Sequence, residues 1–220
     1  YTRAGPEIGV AATKTFLAQV AANYLVGLAL AQARGTKYPD EVEREYQELV
    51  AMPDLVARVL EHIGPVTELG QRFAQSPTVL FLGRHVGYPV ALEGALKLKE
   101  VAYIATDAYA AGEMKHGPIA LLDEKTPVIC IATDSPILDK MVSNMQEVRA
   151  RGAHVVAIAT EGNTEIAEHA ETVISIPETD WMIQPLLAVI PLQLLAYEIA
   201  RRRGLNVDQP RNLAKTVTVE

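Results

Sequence analysis

Three ionisable residues recur at helical spacing in the segment PVALEGALKLKEVAYI. Glu93 and Lys97 are four residues apart, and Glu100 follows Lys97 by three. At about 100° per residue these side chains lie on one face of a helix, while Lys99 points roughly the other way. A carboxylate beside a lysine can shuttle a proton while the cation stabilises a nearby oxyanion. The alternative is a solvated stripe of salt bridges, which spacing alone favours because such stripes are common on surface helices.

A glycine interrupts this helix at Gly94. Glycine in a helix interior costs about 1 kcal/mol relative to alanine. We therefore expect a close packing contact or the approach of a ligand to explain it.

Two further segments carry residue types suited to acid–base chemistry. A loop predicted over 108–118 contains Glu113, Lys115 and His116, and a histidine can titrate near neutral pH. The C-terminal segment QPRNLAKTVTVE is less charged and more β-branched than a disordered tail, so it is predicted to dock and could deliver Lys215 to a cleft. A solvated histidine and a flexible surface lysine are the alternatives.

The composition narrows the function classes. The 220 residues are 49% hydrophobic and 21% charged, which is enough for one large domain with part of another and for a core without disulfides. The net charge of -7 argues against nucleic acid as the main partner. The single cysteine, Cys130, lies in an apolar run and is predicted to be buried, which fits a reducing compartment. No Cys/His cluster has metal-ligand spacing.

Helices and strands alternate in the predicted pattern. Short apolar runs typical of strands buried on both faces occur at Thr78–Gly83, Pro127–Ala132, His154–Ala159 and Thr172–Pro177. Helices are predicted at about 10–33, at 40–62 with a break at Pro53, from after Gly64-Pro65 to about Ala74, and at 89–104, 138–151 and 182–203. This order predicts an α/β fold, a mainly parallel sheet flanked by helices and preceded by further helices.

Three further expectations concern the burial of the first helix, a possible anion site and targeting segments. The first helix is apolar on most faces and should be buried. The turn 83–88 after the first strand opens a helix and could receive an anion, although most such turns are structural. No signal peptide or membrane span is predicted, and the polar opening YTRAGPEIG looks like a cut through a larger protein.

Five segments together resemble a known family. They match, in order, the isomerase half of the glucosamine-6-phosphate synthases, which is built from two sugar isomerase (SIS) domains. The segments are LEGALKLKE (92–100), AAGEMKHGPIAL (110–121), EVRARG (147–152), PLQLLAY (191–197) and DQPRNLAKTVTVE (208–220). The resemblance implies that residues 1–75 are the end of a first SIS domain with a helical linker, 76–204 a second SIS domain, and 205–220 a tail that closes the active site.

The resemblance also implies an activity. That family makes glucosamine 6-phosphate from fructose 6-phosphate and glutamine, with ammonia released by a separate glutaminase domain. By motif, Glu100 would be the base that moves a proton between C1 and C2, a step that suits a carboxylate of modestly raised pKa. Lys97 would lie near the developing oxyanion, and Glu93 would help to orient the site. His116 would assist ring opening from the neighbouring subunit.

Other site positions follow from the same resemblance. Lys215 would reach the sugar near C1 or C2, with Ala214 among the substrate-contacting positions. Val10, Ala12 and Thr13 match a sugar-contacting turn. The family commonly has serine where this chain has Ala12, so only backbone contacts are expected to persist there.

The implied partners are a sugar phosphate, the glutaminase domain of the same parent chain and a second copy of the chain. No nucleic acid, membrane, metal or cofactor is expected, and the implied location is the cytoplasm. Two alternatives are a stand-alone SIS sugar-phosphate isomerase or deglycase, and a non-catalytic sugar-phosphate-binding module. The NLAKTVTVE tail argues against the first. The joint presence of Glu100, Lys97 and His116 argues against the second.

Overall fold

The computed structural model describes residues 1–216, so the last four residues of the predicted tail lie outside the described part. The helices and strands along the chain are α1 (Lys14–Ala33), α2 (Pro39–Val50), α3 (Met52–Glu61), α4 (Gly64–Phe73), β1 (Thr78–Gly83), α5 (Gly87–Lys97), a π-helical turn (Leu98–Ala102), β2 (Ala105–Ala110), 3-10 turns (Ala111–His116 and Pro118–Leu121), β3 (Pro127–Ala132), α6 (Leu138–Arg149), β4 (His154–Thr160), a 3-10 turn (Ile166–Glu168), β5 (Thr172–Ile176) and α7 (Pro185–Arg202).

The strands form one parallel sheet in the order β2-β1-β3-β4-β5, which confirms the predicted α/β fold. Helices α4, α5 and α7 pack on one face of the sheet, and α6 packs on the other. Strands β3 and β4 are buried along their whole length, as their apolar runs predict. Cys130 of β3 is fully buried, and burial raises the pKa of its thiol to about 12.

One strand, β2, is not among the elements predicted from the sequence. Residues 105–110 (ATDAYA) form β2, whereas part of this segment was predicted as loop. Strand β2 lies at the edge of the sheet, and Thr106 is its only buried residue. An edge strand of small and polar residues lacks the apolar run that identifies the other four strands.

Two helix predictions need correction, and one predicted break is confirmed. The helix predicted over 89–104 is α-helical only to Lys97 and then widens into the π-helical turn. The break predicted at Pro53 in the stretch 40–62 is confirmed, because this stretch forms two helices with Pro53 in the first turn of α3, where its missing N–H costs nothing. Helix α1 begins at Lys14, so residues 10–13 form a turn before it.

The predicted burial of α1 is wrong within this chain. Only Leu28 of its 20 residues is buried, while Leu25, Val26 and Leu30 are exposed. By length and composition alone, α1 is also apolar enough to cross a membrane. A helix that is apolar all round normally packs against other protein or lipid on several sides. In the described part of the chain, most of the surface of α1 has no such neighbour.

Gly94 is explained by packing. A methyl group at this position would lie 2.6 Å from Leu192 Cδ1 of α7 and 2.9 Å from Phe81 Cε1 of β1. The glycine therefore lets α5 approach both the sheet and α7, which fixes the helix that carries Glu93 and Lys97.

We predict opposite effects of two glycine-to-alanine substitutions. Gly94→Ala should lower the free energy of unfolding by about 1–2 kcal/mol, because overpacking outweighs the gain in helix propensity. Gly27→Ala in exposed α1, where a methyl group meets nothing within 4 Å, should raise it by up to about 1 kcal/mol. Urea unfolding of both variants checks this, and a stabilising Gly94→Ala would contradict the packing account.

Candidate active site

The Glu93–Lys97–Glu100 cluster forms as its spacing predicts. Lys97 Nζ lies 3.3 Å from Glu93 Oε1 and 2.5 Å from Glu100 Oε2. Lys99 points away and lies 3.9 Å from Asp107 on the exposed side. One ammonium group therefore faces two carboxylates, which leaves the cluster with an excess of negative charge when all three are ionised.

Burial excludes the surface-stripe alternative. The side chains of Lys97 and Glu93 are only 4% and 10% exposed. Burial raises the pKa of Glu93, the Lys97 ammonium works against that shift, and the nearby Glu100 carboxylate adds to it. Buried charges are costly unless they are paired, so this arrangement is a constrained site rather than a solvated helix face.

Glu100 is the most accessible member of the cluster, at 22% exposure. It lies on the π-helical turn, and such turns are frequent at functional sites. Its side chain borders an open groove of about 510 Å³, which Tyr103 and Arg211 also line. Glu100 Oε2 accepts no well-aligned hydrogen bond from the described residues, despite its contact with Lys97. The Glu100 carboxylate thus contacts a buried cation and also borders an accessible groove.

The turn before α1 closes over the cluster. Lys97 Nζ donates a hydrogen bond of 3.1 Å to the Ala12 carbonyl. The Val10 amide donates to the Asp208 carbonyl at 2.9 Å, and Gln193 donates to the Thr13 carbonyl at 3.4 Å. The predicted turn of Val10, Ala12 and Thr13 is therefore held between α5, α7 and the tail.

The tail docks on the same region. Lys215 Nζ donates to the Gly9 carbonyl at 2.8 Å and to the Val10 carbonyl at 3.4 Å. Further back, the Arg211 amide donates to Tyr103 Oη at 2.7 Å, and the Arg211 guanidinium lies 4.3 Å from the Tyr103 ring centre. Tyr103 ends the π-helical turn with a φ of 56°, an uncommon value for a bulky residue.

Glu7 is a site residue that the sequence analysis missed. It lies in the polar opening segment, yet its side chain is only 7% exposed. It accepts hydrogen bonds from Thr13, Thr15 and Lys215. Burial opposes ionisation of Glu7, but these hydrogen bonds together lower its pKa to about 2. No spacing pattern could have identified it, because its partners lie six, eight and 208 residues away.

Two predicted site residues are not brought to the cluster. His116 is exposed at the end of the 3-10 turn after β2, and within residues 1–216 its side chain has no hydrogen bond or ion pair. Ala214 is exposed beside Lys215. In the turn after β1, Arg84 Nε donates a hydrogen bond of 2.9 Å to Asn144 Oδ1 of α6. Among the described residues, no group of three His, Cys, Asp or Glu is arranged to hold a metal ion.

Residues 72–201 match the SIS domain family. The chain belongs to the SIS domain family. Its matching relatives include glutamine–fructose-6-phosphate aminotransferases (isomerizing) from Mycolicibacterium paratuberculosis, 66% identical, and Mycobacterium tuberculosis, 64% identical. Both alignments cover all of this chain and 36% of the relative. The SIS chain thus spans little more than a third of the length of these relatives.

Solved structures give the same fold. The C-terminal domain of glucosamine-fructose-6-phosphate aminotransferase from Francisella tularensis superposes with a TM-score of 0.90 at 36% identity, covering 94% of the SIS chain and 58% of that chain. A glucosamine-6-phosphate deaminase from Thermotoga maritima superposes with a TM-score of 0.68 at 24% identity, covering 96% of the SIS chain and 59% of its own. The second likeness supports the fold alone.

Removal of the buried cation should be costly. Lys97→Met leaves two carboxylates without their ammonium partner, so we expect the free energy of unfolding to fall by about 3 kcal/mol at neutral pH. Lys99→Met, a matched change on the exposed side, should stay within about 0.5 kcal/mol.

The loss should also depend on pH. In Lys97→Met, Glu93 loses the cation that opposes the rise of its pKa by burial, so its folded-state pKa rises further. The penalty should therefore grow as pH rises through that raised pKa and be relieved as pH falls toward the ordinary value of about 4.3. Urea unfolding at several pH values measures this, and equal losses for the two lysine variants would argue against the buried cluster.

Proposed function

We propose that this chain is the isomerase part of a glucosamine-6-phosphate synthase, converting fructose 6-phosphate and ammonia to glucosamine 6-phosphate. The observation that carries the proposal is the partly exposed Glu100 carboxylate, which contacts the buried Lys97. Lys97 donates a hydrogen bond to the turn before α1, and Lys215 of the tail donates to the same turn. The high identity to named aminotransferases over the whole chain supports the same assignment.

Glu100 acts as the base in this proposal. Ammonia replaces the C2 oxygen of the open-chain sugar as an imine, with loss of water. Glu100 then takes the proton from C1, the C1–H electron pair forms the C1=C2 bond, and the former C=N pair goes to a protonated nitrogen. Return of the proton to C2 and loss of the O1 proton give the amino aldehyde. A single carboxylate on one face can perform both transfers.

Lys97 and Glu93 prepare that carboxylate. The Lys97 ammonium lies within 2.5 Å of Glu100 and stabilises negative charge that develops on the adjacent sugar oxygen. Glu93 holds Lys97 from the opposite side at 3.3 Å and so fixes the direction of the cation. These roles need a buried cluster, because the same charges would be weaker in water.

The turn and the tail supply the sugar contacts. Val10, Ala12 and Thr13 offer backbone groups to the sugar, and Lys215 reaches it near C1 or C2 with Ala214 alongside. Support comes from the hydrogen bonds of Lys215 to the Gly9 and Val10 carbonyls, which already bring the tail lysine to this turn.

His116 completes the site from a second copy of the chain, where it assists ring opening. Its exposed position without a described partner is compatible with that role. The proposed assembly is therefore a homodimer whose two sites each combine residues of both chains.

The domain division is part of the proposal. Residues 76–204 form the second SIS domain, 205–220 the closing tail, and 1–75 the end of a first SIS domain with its linker. The exposed apolar surface of α1 supports this division, because it is suited to pack against protein that precedes it in the parent chain. A glutaminase domain in the same parent would supply ammonia in the cytoplasm.

The role of Glu100 has a direct test in the parent enzyme. Glu100→Gln should lower turnover by a factor of about 100 or more, because a general base contributes that much. Binding of fructose 6-phosphate, measured by calorimetry, should persist. The exposed Glu61→Gln, an identical chemical change outside the site, should leave turnover unchanged. Normal turnover of Glu100→Gln would refute the assigned role.

The isolated 220-residue chain should turn over fructose 6-phosphate poorly. In the proposed domain division, residues 1–75 are only the end of the first SIS domain, and the resemblance to the family implies that the sugar phosphate binds in the rest of that domain. We expect activity close to background in an isomerisation assay with ammonia added, and full activity for the parent enzyme assayed beside it. Strong activity of the isolated chain would show that the sugar-phosphate site lies within these residues.

A further inference from the structure

Glu7 lies where three parts of the site meet. Its Oε1 accepts hydrogen bonds from the Thr13 amide at 2.8 Å and the Thr13 hydroxyl at 2.9 Å. Its Oε2 accepts from the Thr15 hydroxyl and from Lys215 at 3.4 Å. Thr13 is the N-cap of α1, where a carboxylate is also favoured by the helix dipole. Four donors thus hold one buried carboxylate in a single orientation.

Lys215 shows the complementary pattern. An ammonium group has three hydrogens to donate. Those of Lys215 have three acceptors, the Gly9 carbonyl, the Val10 carbonyl and Glu7, all within four consecutive residues. The side chain is 49% exposed, so packing alone does not fix its head group. Its position depends on these polar contacts, and within residues 1–216 Glu7 is the only negatively charged partner of Lys215.

The same turn also receives Lys97, through the Ala12 carbonyl. Glu7, Thr13 and Lys97 line one cavity of about 180 Å³ between the turn, α5 and α7. A residue that fixes the turn therefore sets the separation between the cluster on α5 and the tail lysine.

We infer that Glu7 is a positioning residue that orients Lys215 and the turn 9–13 together, so that the tail closes on the cluster in one register. This inference rests on the proposed function for its catalytic consequence. The structural part of the inference is that the position of Lys215 depends on Glu7, and this part does not depend on which reaction the site catalyses. Glu7 itself is assigned no contact with the sugar.

A labelling experiment on the 220-residue chain tests the structural content. A short pulse of acetic anhydride near neutral pH modifies accessible lysines, and mass spectrometry compares Lys215 with exposed Lys125 as an internal reference. Glu7→Gln should raise the relative labelling of Lys215 about three- to fivefold, since Lys215 is half-exposed in this ion pair and such pairs contribute modestly. Glu7→Asp, which keeps the charge, should restore part of the protection. Exposed Glu165→Gln should change nothing.

Unchanged Lys215 labelling in folded Glu7→Gln overturns the inference. Should that variant fail to fold, Lys215→Met provides a second test that leaves Glu7 intact. Hydrogen exchange of the peptide spanning 7–13 should then be several-fold faster than in the wild type, because the turn has lost its link to the tail. Equal exchange rates also overturn the inference.

Turnover in the parent enzyme separates this inference from the proposed function. If Lys215→Met leaves turnover unchanged while Glu7→Gln still exposes Lys215 to labelling, the role proposed for the tail lysine is wrong but the positioning by Glu7 stands. If the positioning by Glu7 and the proposed role of Lys215 both hold, Glu7→Gln should lower kcat more than it changes KM, and Glu7→Asp should recover part of kcat.

Discussion

The organisation of the site depends on one buried ammonium group. Lys97 contacts Glu93, Glu100 and the Ala12 carbonyl, and a cation so deeply buried is stable only with such partners. Its three contacts join the rigid helix α5, the π-helical turn and the irregular turn before α1. The need to compensate one charge thus links helix α5 and the π-helical turn that continues it to a turn 85 residues earlier in the chain.

The fold supplies the rigidity that this cluster requires. Gly94 lets α5 sit against β1 and α7, so the helix that carries Glu93 and Lys97 is held on two sides. The π-helical turn then moves Glu100 out of the regular helix toward the groove, and Tyr103 with Arg211 braces its end. The carboxylate is therefore held by packed structure on one side and remains accessible on the other, as a proton-transferring group requires.

Much of this follows from sequence, and the remainder has physical causes. The four apolar strands and the one-faced cluster were predictable because burial and helical spacing depend on local pattern. Strand β2 was missed because an edge strand needs few apolar residues. The exposure of α1 was missed because an apolar helix gives no sign of whether its partner is in the same chain. Glu7 was missed because its role depends on Lys215, which only the fold brings near. Burial of Lys97, which decides between a surface stripe and a site, is likewise a tertiary property.

The central claim is that the Glu100 carboxylate faces the sugar carbons that exchange a proton. A crystal structure of the parent enzyme with fructose 6-phosphate bound tests it most directly. We expect the Glu100 oxygens to lie at about 3 Å from C1 or C2, where proton transfer is feasible, with Lys97 and Lys215 contacting the same ligand. A sugar phosphate bound away from Glu100, or one facing Glu100 only with its phosphate, would contradict it.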